Sequence, residues 1–121
     1  MKALILLSHG SRHPESNAEM QSLAAQIQSL ADNAFSQVEC AFQQFAEPSL
    51  EQVFDRIVEK GVDQIVVLPL FLAAGGHVLV DVPELIKQMR VKYPEVMVTL
   101  MPHLGQTAGL ARFLFERAAG I

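Results

Sequence analysis

With a single cysteine, Cys40, among its 121 residues, the chain can form neither an internal disulfide nor a Cys-based zinc site. Cys40 therefore reads as a small hydrophobe on a strand. Basic runs are missing too: Lys and Arg total 9 against 13 acidic residues, a formal net charge of −4. A nucleic-acid partner would call for a basic face. Overall charge would not steer a polyanion, so any anion has to be held by local groups. The longest apolar run, Ile65 to Ala74, is about half the ~20 residues of a membrane span, and Pro69 interrupts it. Lys2 followed by Ala3 to Leu7 is too short for the h-region of a signal peptide. No nucleic acid, no membrane and a cytoplasmic location are expected. The fingerprints G-x-G-x-x-G, Walker A and G-x-S-x-G are lacking as well.

What is present is a self-sufficient core. Half the residues are hydrophobic and only 18% are charged, without low-complexity tracts, repeats or linkers. A chain of this length fits one domain, residues 1–121. "ALILLS" at 3–8 is a short apolar run suited to a strand buried on both faces. From Asn17, Met20, Leu23, Ile27 and Leu30 recur at helical spacing. Val38, Cys40 and Phe42 alternate with polar neighbours, as in a strand. Leu50, Val53, Phe54, Ile57 and Val58 follow a helical template, opened by a capping box of Ser49 and Gln52 and stopped by Gly61. "QIVVLPLFL" at 64–72 is strand-like, with Pro69 placed near its carboxyl end because proline cannot donate to a ladder. Asp81 is read as the cap of the next helix, with Pro83 in its first turn. A strand at 96–101 and an amphipathic helix at 106–119 complete the chain. Strands alternating with helices imply an α/β fold with a mostly parallel sheet and right-handed crossovers. The expected arrangement is a doubly wound four-stranded sheet in the order 2-1-3-4.

In such sheets ligands bind beyond the carboxyl ends of the strands, where strand order reverses. His9 follows the first strand in "LLSHGSR", Glu47 follows the second in "FAEPS", and His77 follows the third in "FLAAGGH". Gly10, Gly75 and Gly76 reduce bulk there and let backbone amides approach a ligand. Arg12 can pair a ligand carboxylate or a surface acid. Glu47 either serves the site or favours the dipole of the helix that starts near Ser49. His103, in "MPHLG", ends the fourth strand and reads as structural or peripheral, and His13 as solvated. Neutral imidazole is a ligand for late first-row metals and a base of ordinary pKa about 6.5. Two such groups can bind a metal, move protons, or do both.

"LLSHGSR", "AEPSLEQ", "VVLPLFLAAGGHVLVDVPELI" and "PHLG" together resemble the small single-domain sirohydrochlorin cobaltochelatases of the class II chelatase family. Val82 is a mild departure, standing where isoleucine is common between aspartate and proline. The resemblance implies insertion of a divalent metal, cobalt first and iron or nickel next, into sirohydrochlorin, a tetrapyrrole with several carboxylates. The metal is a substrate, and no tightly bound cofactor is expected. The family's two active-site histidines map onto His9 and His77, as metal ligands and proton acceptors. Glu47 matches an assisting acidic position. Gly10, Ser11, Arg12, Gly75 and Gly76 are expected to line the macrocycle. A large flat substrate needs walls on both faces and one rim supplies one, so a homodimer is expected.

Three other readings compete, one of them a plain flavodoxin-like interaction module that would bind neither metal nor tetrapyrrole tightly. Histidine phosphotransfer would place an arginine before the histidine of "SHGSR", where Ser8 stands. A non-catalytic cobalt or nickel carrier would use the same histidines, and would bind metal without changing the macrocycle spectrum.

Overall fold

Alternation of apolar strands and amphipathic helices builds a single parallel sheet in the order β2-β1-β3-β4, as expected. The computed structural model describes residues 1–121 apart from Ala74, and the side chains of His77, Val78 and Leu79 also lie outside the described residues. Strand β1 is Lys2–Ser8, β2 Gln37–Phe42, β3 Gln64–Pro69 and β4 Met97–Leu100. Central β1 pairs with β2 through Leu6↔Cys40 and with β3 through Leu6↔Leu68. It is buried from Ala3 to Ser8, which explains its unbroken apolar run.

Residue parity divides the core. Ala3, Ile5, Leu7, Ile65, Val67 and Val98 face helices α2, Leu50–Glu59, and α3, Gly76–Lys92. Leu4, Leu6, Val38, Cys40 and Phe42 face the opposite way, toward α1, Pro14–Leu30. In α2, Leu50, Val53, Phe54 and Ile57 are all buried, each burial worth roughly 1.5–3 kcal/mol. Its capping box forms as read: Gln52 N–H donates to Ser49 Oγ at 3.2 Å, and Ser49 N–H donates to Gln52 Oε1 at 2.7 Å. Gly61 ends it with φ +90. Cys40 is buried, and that burial pushes its thiol pKa up, as suits a packing residue.

Three helix starts differ from expectation. Helix α1 starts at Pro14 rather than Asn17, because proline at N1 has no amide to leave orphaned. Helix α3 starts at Gly76, capped by an extended Gly75, so Asp81 and Pro83 lie inside it rather than at its start. A glycine can open a helix without a side-chain acceptor, and the sequence pattern of D-x-P concealed this. The last helix, α4, is Leu110–Ala119, and a 3-10 turn at Leu104–Gln106 precedes it. Pro69 is the terminal residue of β3, as read. Among the described residues, no helix is long and apolar enough to cross a membrane.

Candidate active site

The rim is built where the carboxyl ends of β1 and β3 lie side by side, the point at which strand order reverses. His9 follows directly on Ser8, and pairing with β2 continues past the strand ends. Gln43 N–H donates to Ser8 O at 2.8 Å, and Gln44 N–H donates to His9 O at 2.9 Å. The chain then turns sharply at Gly10, whose φ is +88. A Cβ there would sit 1.8 Å from the Gln44 carbonyl oxygen. Gln44 of the same chain fills the space beside the Gly10 Cα, so the turn itself requires glycine.

The His9 side chain is exposed and rests on the ring of Phe71, with centroids 4.3 Å apart and planes tilted by 51°. Phe71 is itself buried, so the core backs the imidazole on one side while His9 as a whole stays exposed. The same segment anchors the end of β4. Gly105 N–H donates to Phe71 O at 2.9 Å, and a Cβ on Gly105 would lie 1.6 Å from Leu72 O. His103 precedes this turn, half-buried, with its carbonyl accepting from Gln106 N–H at 2.9 Å. The fourth strand therefore delivers its histidine to the same end of the sheet.

Ser11 is held through its backbone. Its N–H donates to Asn17 Oδ1 at 3.0 Å, and its carbonyl accepts from Asn17 Nδ2 at 2.8 Å. Its hydroxyl oxygen accepts from His13 N–H at 3.0 Å. Arg12 is exposed, with its guanidinium 4.6 Å from the centroid of the Phe45 ring, a cation–π contact. Phe45 takes a positive φ of 66 in the loop after β2. His13 is exposed and lies 3.9 Å from Glu15, in keeping with a solvated residue.

Glu47 is exposed in the same β2–α2 loop, two residues before the Ser49 cap. The Glu47–Pro48 peptide is cis, and the Pro48 carbonyl accepts from Phe42 N–H at 2.8 Å. This bond ties the loop to the end of β2.

His77 is the second residue of α3, and its side chain lies outside the described residues. Its backbone places it on the element that follows β3, next in the sheet to the strand that ends at His9. Gly75 and Gly76 have no atom within 4 Å of an added Cβ, so the approach to this helix start is open. Among the described residues, no three His, Cys, Asp or Glu side chains gather into a group that could hold a metal.

The topology thus brings the elements bearing His9, Glu47, His77 and His103 to one end of the sheet. Phe71, Phe45, Gln44 and Asn17 were not foreseen there. Phe71 closes an apolar run and reads as strand core. Phe45 alone carried a signal, as a lone aromatic in the polar loop "QQFAEPS".

A model of the CbiX family matches residues 3–120. The chain is 37% identical over 86 residues to the sirohydrochlorin cobaltochelatase of Methanopyrus kandleri, covering 71% of this chain but only 59% of that protein. With the sirohydrochlorin cobaltochelatase of Saccharolobus solfataricus it is 30% identical over 123 residues, covering 97% and 93% of the two chains. Among solved structures, the CbiX protein of Marinobacter aquaeolei VT8 superposes with a TM-score of 0.82 at 29% identity, covering 99% of this chain and 96% of that one. The sirohydrochlorin chelatase SirB of Bacillus subtilis subspecies spizizenii, solved in complex with cobalt, superposes with a TM-score of 0.71 at 26% identity. That match covers 99% of this chain and 50% of SirB.

Proposed function

Because this chain belongs to the CbiX family, we propose that it inserts a divalent metal, cobalt in the first place, into sirohydrochlorin. The observation that carries the reading is the His9 imidazole, exposed at the strand-order reversal and backed on one face by buried Phe71. Relatives matched over nearly their whole length support the choice of substrate.

Insertion exchanges two pyrrole N–H protons for one dication, so the site needs a proton acceptor and a means of stripping water from the metal. In this reading His9 and His77 replace some of the metal's waters while leaving positions for the macrocycle nitrogens. Each imidazole, freed as the metal passes to the macrocycle nitrogens, accepts one of the two pyrrole protons. Imidazole takes iron and nickel as well as cobalt, so geometry and supply decide among them. Glu47 assists from the loop after β2, as a proton relay at the edge of the macrocycle. Arg12, steadied by Phe45, meets a substrate carboxylate with a charge-assisted hydrogen bond. Gly75 and Gly76 keep the start of α3 open to the flat ring. The second wall of the cleft comes from a second copy, a homodimer with facing rims. SirB, half of whose length one such unit matches, suits that pairing.

The test is absorbance of sirohydrochlorin mixed with excess cobalt. The wild type should convert it to the metallated spectrum faster than the uncatalysed reaction. His77→Ala should lose most of that acceleration, and His77→Gln nearly as much, since an amide lacks the basic nitrogen. A wild-type protein that binds cobalt yet leaves the rate unchanged is a carrier, and the proposal fails.

A further inference from the structure

We propose that Asn17 is a positioning residue for substrate binding. It clamps the turn after His9 so that the Ser11 hydroxyl donates to a carboxylate of the tetrapyrrole, beside the Arg12 guanidinium. The inference deepens the substrate reading above and rests on it.

With 13 acidic residues against 9 Lys and Arg, this chain has to hold an anionic substrate through local groups. Ser11 and Arg12 follow His9 and Gly10 off the carboxyl end of central β1, where strand order reverses. Among the described residues, Arg12 makes no ion pair and lies against the Phe45 ring instead. Its charge is therefore not spent on an acid of its own chain.

Ser11 is fixed more tightly than its neighbour. Its peptide N–H donates to Asn17 Oδ1 at 3.0 Å, and Asn17 Nδ2 donates back to its carbonyl at 2.8 Å. One amide thus fixes the peptide groups on both sides of Ser11. With them it sets the direction of the Ser11 side chain and the exit of the chain toward Arg12. Only a side-chain amide offers an acceptor and a donor together, so neither Asp nor Ser could replace it. Asn17 is half-buried and is the fourth residue of α1, a helix that packs on the sheet through Met20, Leu23 and Ala24. The turn is tied to a rigid element rather than left as loose loop.

The hydroxyl is set up as a donor. Its oxygen accepts from His13 N–H at 3.0 Å, and among the described residues nothing accepts its hydrogen. A hydroxyl that already accepts one hydrogen bond donates a stronger one. A carboxylate is the acceptor that gains most from such a donor, since charge-assisted bonds are about twice as strong as neutral ones. The clamp does not reach the imidazole on the other side of Gly10. His9 is held separately, through Gln44 N–H on its carbonyl and Phe71 under its ring.

That separation supplies the test. Fluorescence of metal-free sirohydrochlorin, titrated with protein in the absence of cobalt, reads macrocycle binding apart from chemistry, and cobalt affinity is measured on the same proteins without macrocycle. Ser11→Ala and Asn17→Ala should each weaken sirohydrochlorin binding about threefold to tenfold, the worth of one hydrogen bond. Cobalt affinity should stay within about twofold of wild type, the span of a surface change. The double variant should bind no more weakly than Asn17→Ala alone, because an unclamped Ser11 already contributes nothing. Far-ultraviolet circular dichroism should keep its shape throughout. Unchanged sirohydrochlorin affinity in Ser11→Ala or Asn17→Ala overturns the inference and leaves the substrate reading standing. So do losses that multiply in the double variant, or a parallel fall in cobalt affinity, which would make Asn17 a general support of the rim. A wild type that leaves the fluorescence unchanged overturns the substrate reading and this inference with it.

Discussion

The His9 imidazole leans against the ring of Phe71 at a centroid separation of 4.3 Å. In its proposed role as a metal ligand, His9 needs such a backing, because rotamer freedom otherwise blurs the geometry that binding demands. Phe71→Leu keeps an apolar side chain in a buried position, so its stability cost should stay below about 1.5 kcal/mol. It removes the flat surface under His9, so the metal-insertion rate should fall severalfold at unchanged metal concentration. Paired measurements of thermal midpoint and initial rate check this. A rate that falls only in proportion to folded protein would assign Phe71 to the core alone.

The glycines of the two rim loops should behave in opposite ways. Gly10 combines φ +88 with a Cβ position 1.8 Å from a backbone oxygen, and Gly76 has open space at the start of a helix. Gly10→Ala should therefore cost at least the roughly 1–3 kcal/mol of a left-handed φ, with the clash added. Gly76→Ala should leave urea unfolding within about 0.5 kcal/mol of wild type. If Gly76 keeps the macrocycle approach clear, that variant should still raise KM for sirohydrochlorin. Equal unfolding midpoints for the two variants would contradict the geometry.

Much of this architecture was legible because burial and periodicity are written into side chains. The run Ala3 to Leu7 could only be a central strand, and Ser49 with Gln52 could only be a cap in that context. The helix after β3 was misplaced because Asp81 and Pro83 imitate a helix start. The true start at Gly75 and Gly76 depends on backbone freedom, which carries no hydrophobic signal. Of the candidate site, the order of elements along the rim followed from topology. Phe71 was hidden for the opposite reason: a buried aromatic at a strand end looks the same whether or not an imidazole rests on it. The exposure of α4, none of whose residues is buried, also escaped, since an amphipathic pattern marks an apolar face without saying what covers it.

Acid should expose a tie between α2 and α3. The Tyr93 hydroxyl and then the Lys92 ammonium hydrogen-bond Asp55 and hold its carboxyl below the usual carboxylate range. A lowered folded-state pKa means that the unfolded chain binds the proton more readily. The stabilisation is therefore complete above the unfolded value, about 3.9, and is lost as pH falls through the folded value. Asp55→Asn should flatten the decline of the urea midpoint over that acid range while changing the neutral-pH shape little. Parallel curves for variant and wild type would remove Asp55 from the account.

The last prediction separates binding from chemistry at the rim. The guanidinium of Arg12 lies 4.6 Å from the centroid of the Phe45 ring, and both residues are exposed. An exposed cation–π contact is worth about 0.5–1 kcal/mol, which corresponds to a twofold to fivefold change in an equilibrium constant. If Phe45 holds Arg12 ready for a substrate carboxylate, Phe45→Leu should raise KM by about that factor and leave kcat near its wild-type value. Arg12→Gln should raise KM further, because it removes the charge as well as the positioning. The double variant should then be no worse than Arg12→Gln alone, since Phe45 acts only through the guanidinium. Additive losses in the double variant would mean that Phe45 meets the macrocycle itself, as a stacking surface independent of Arg12.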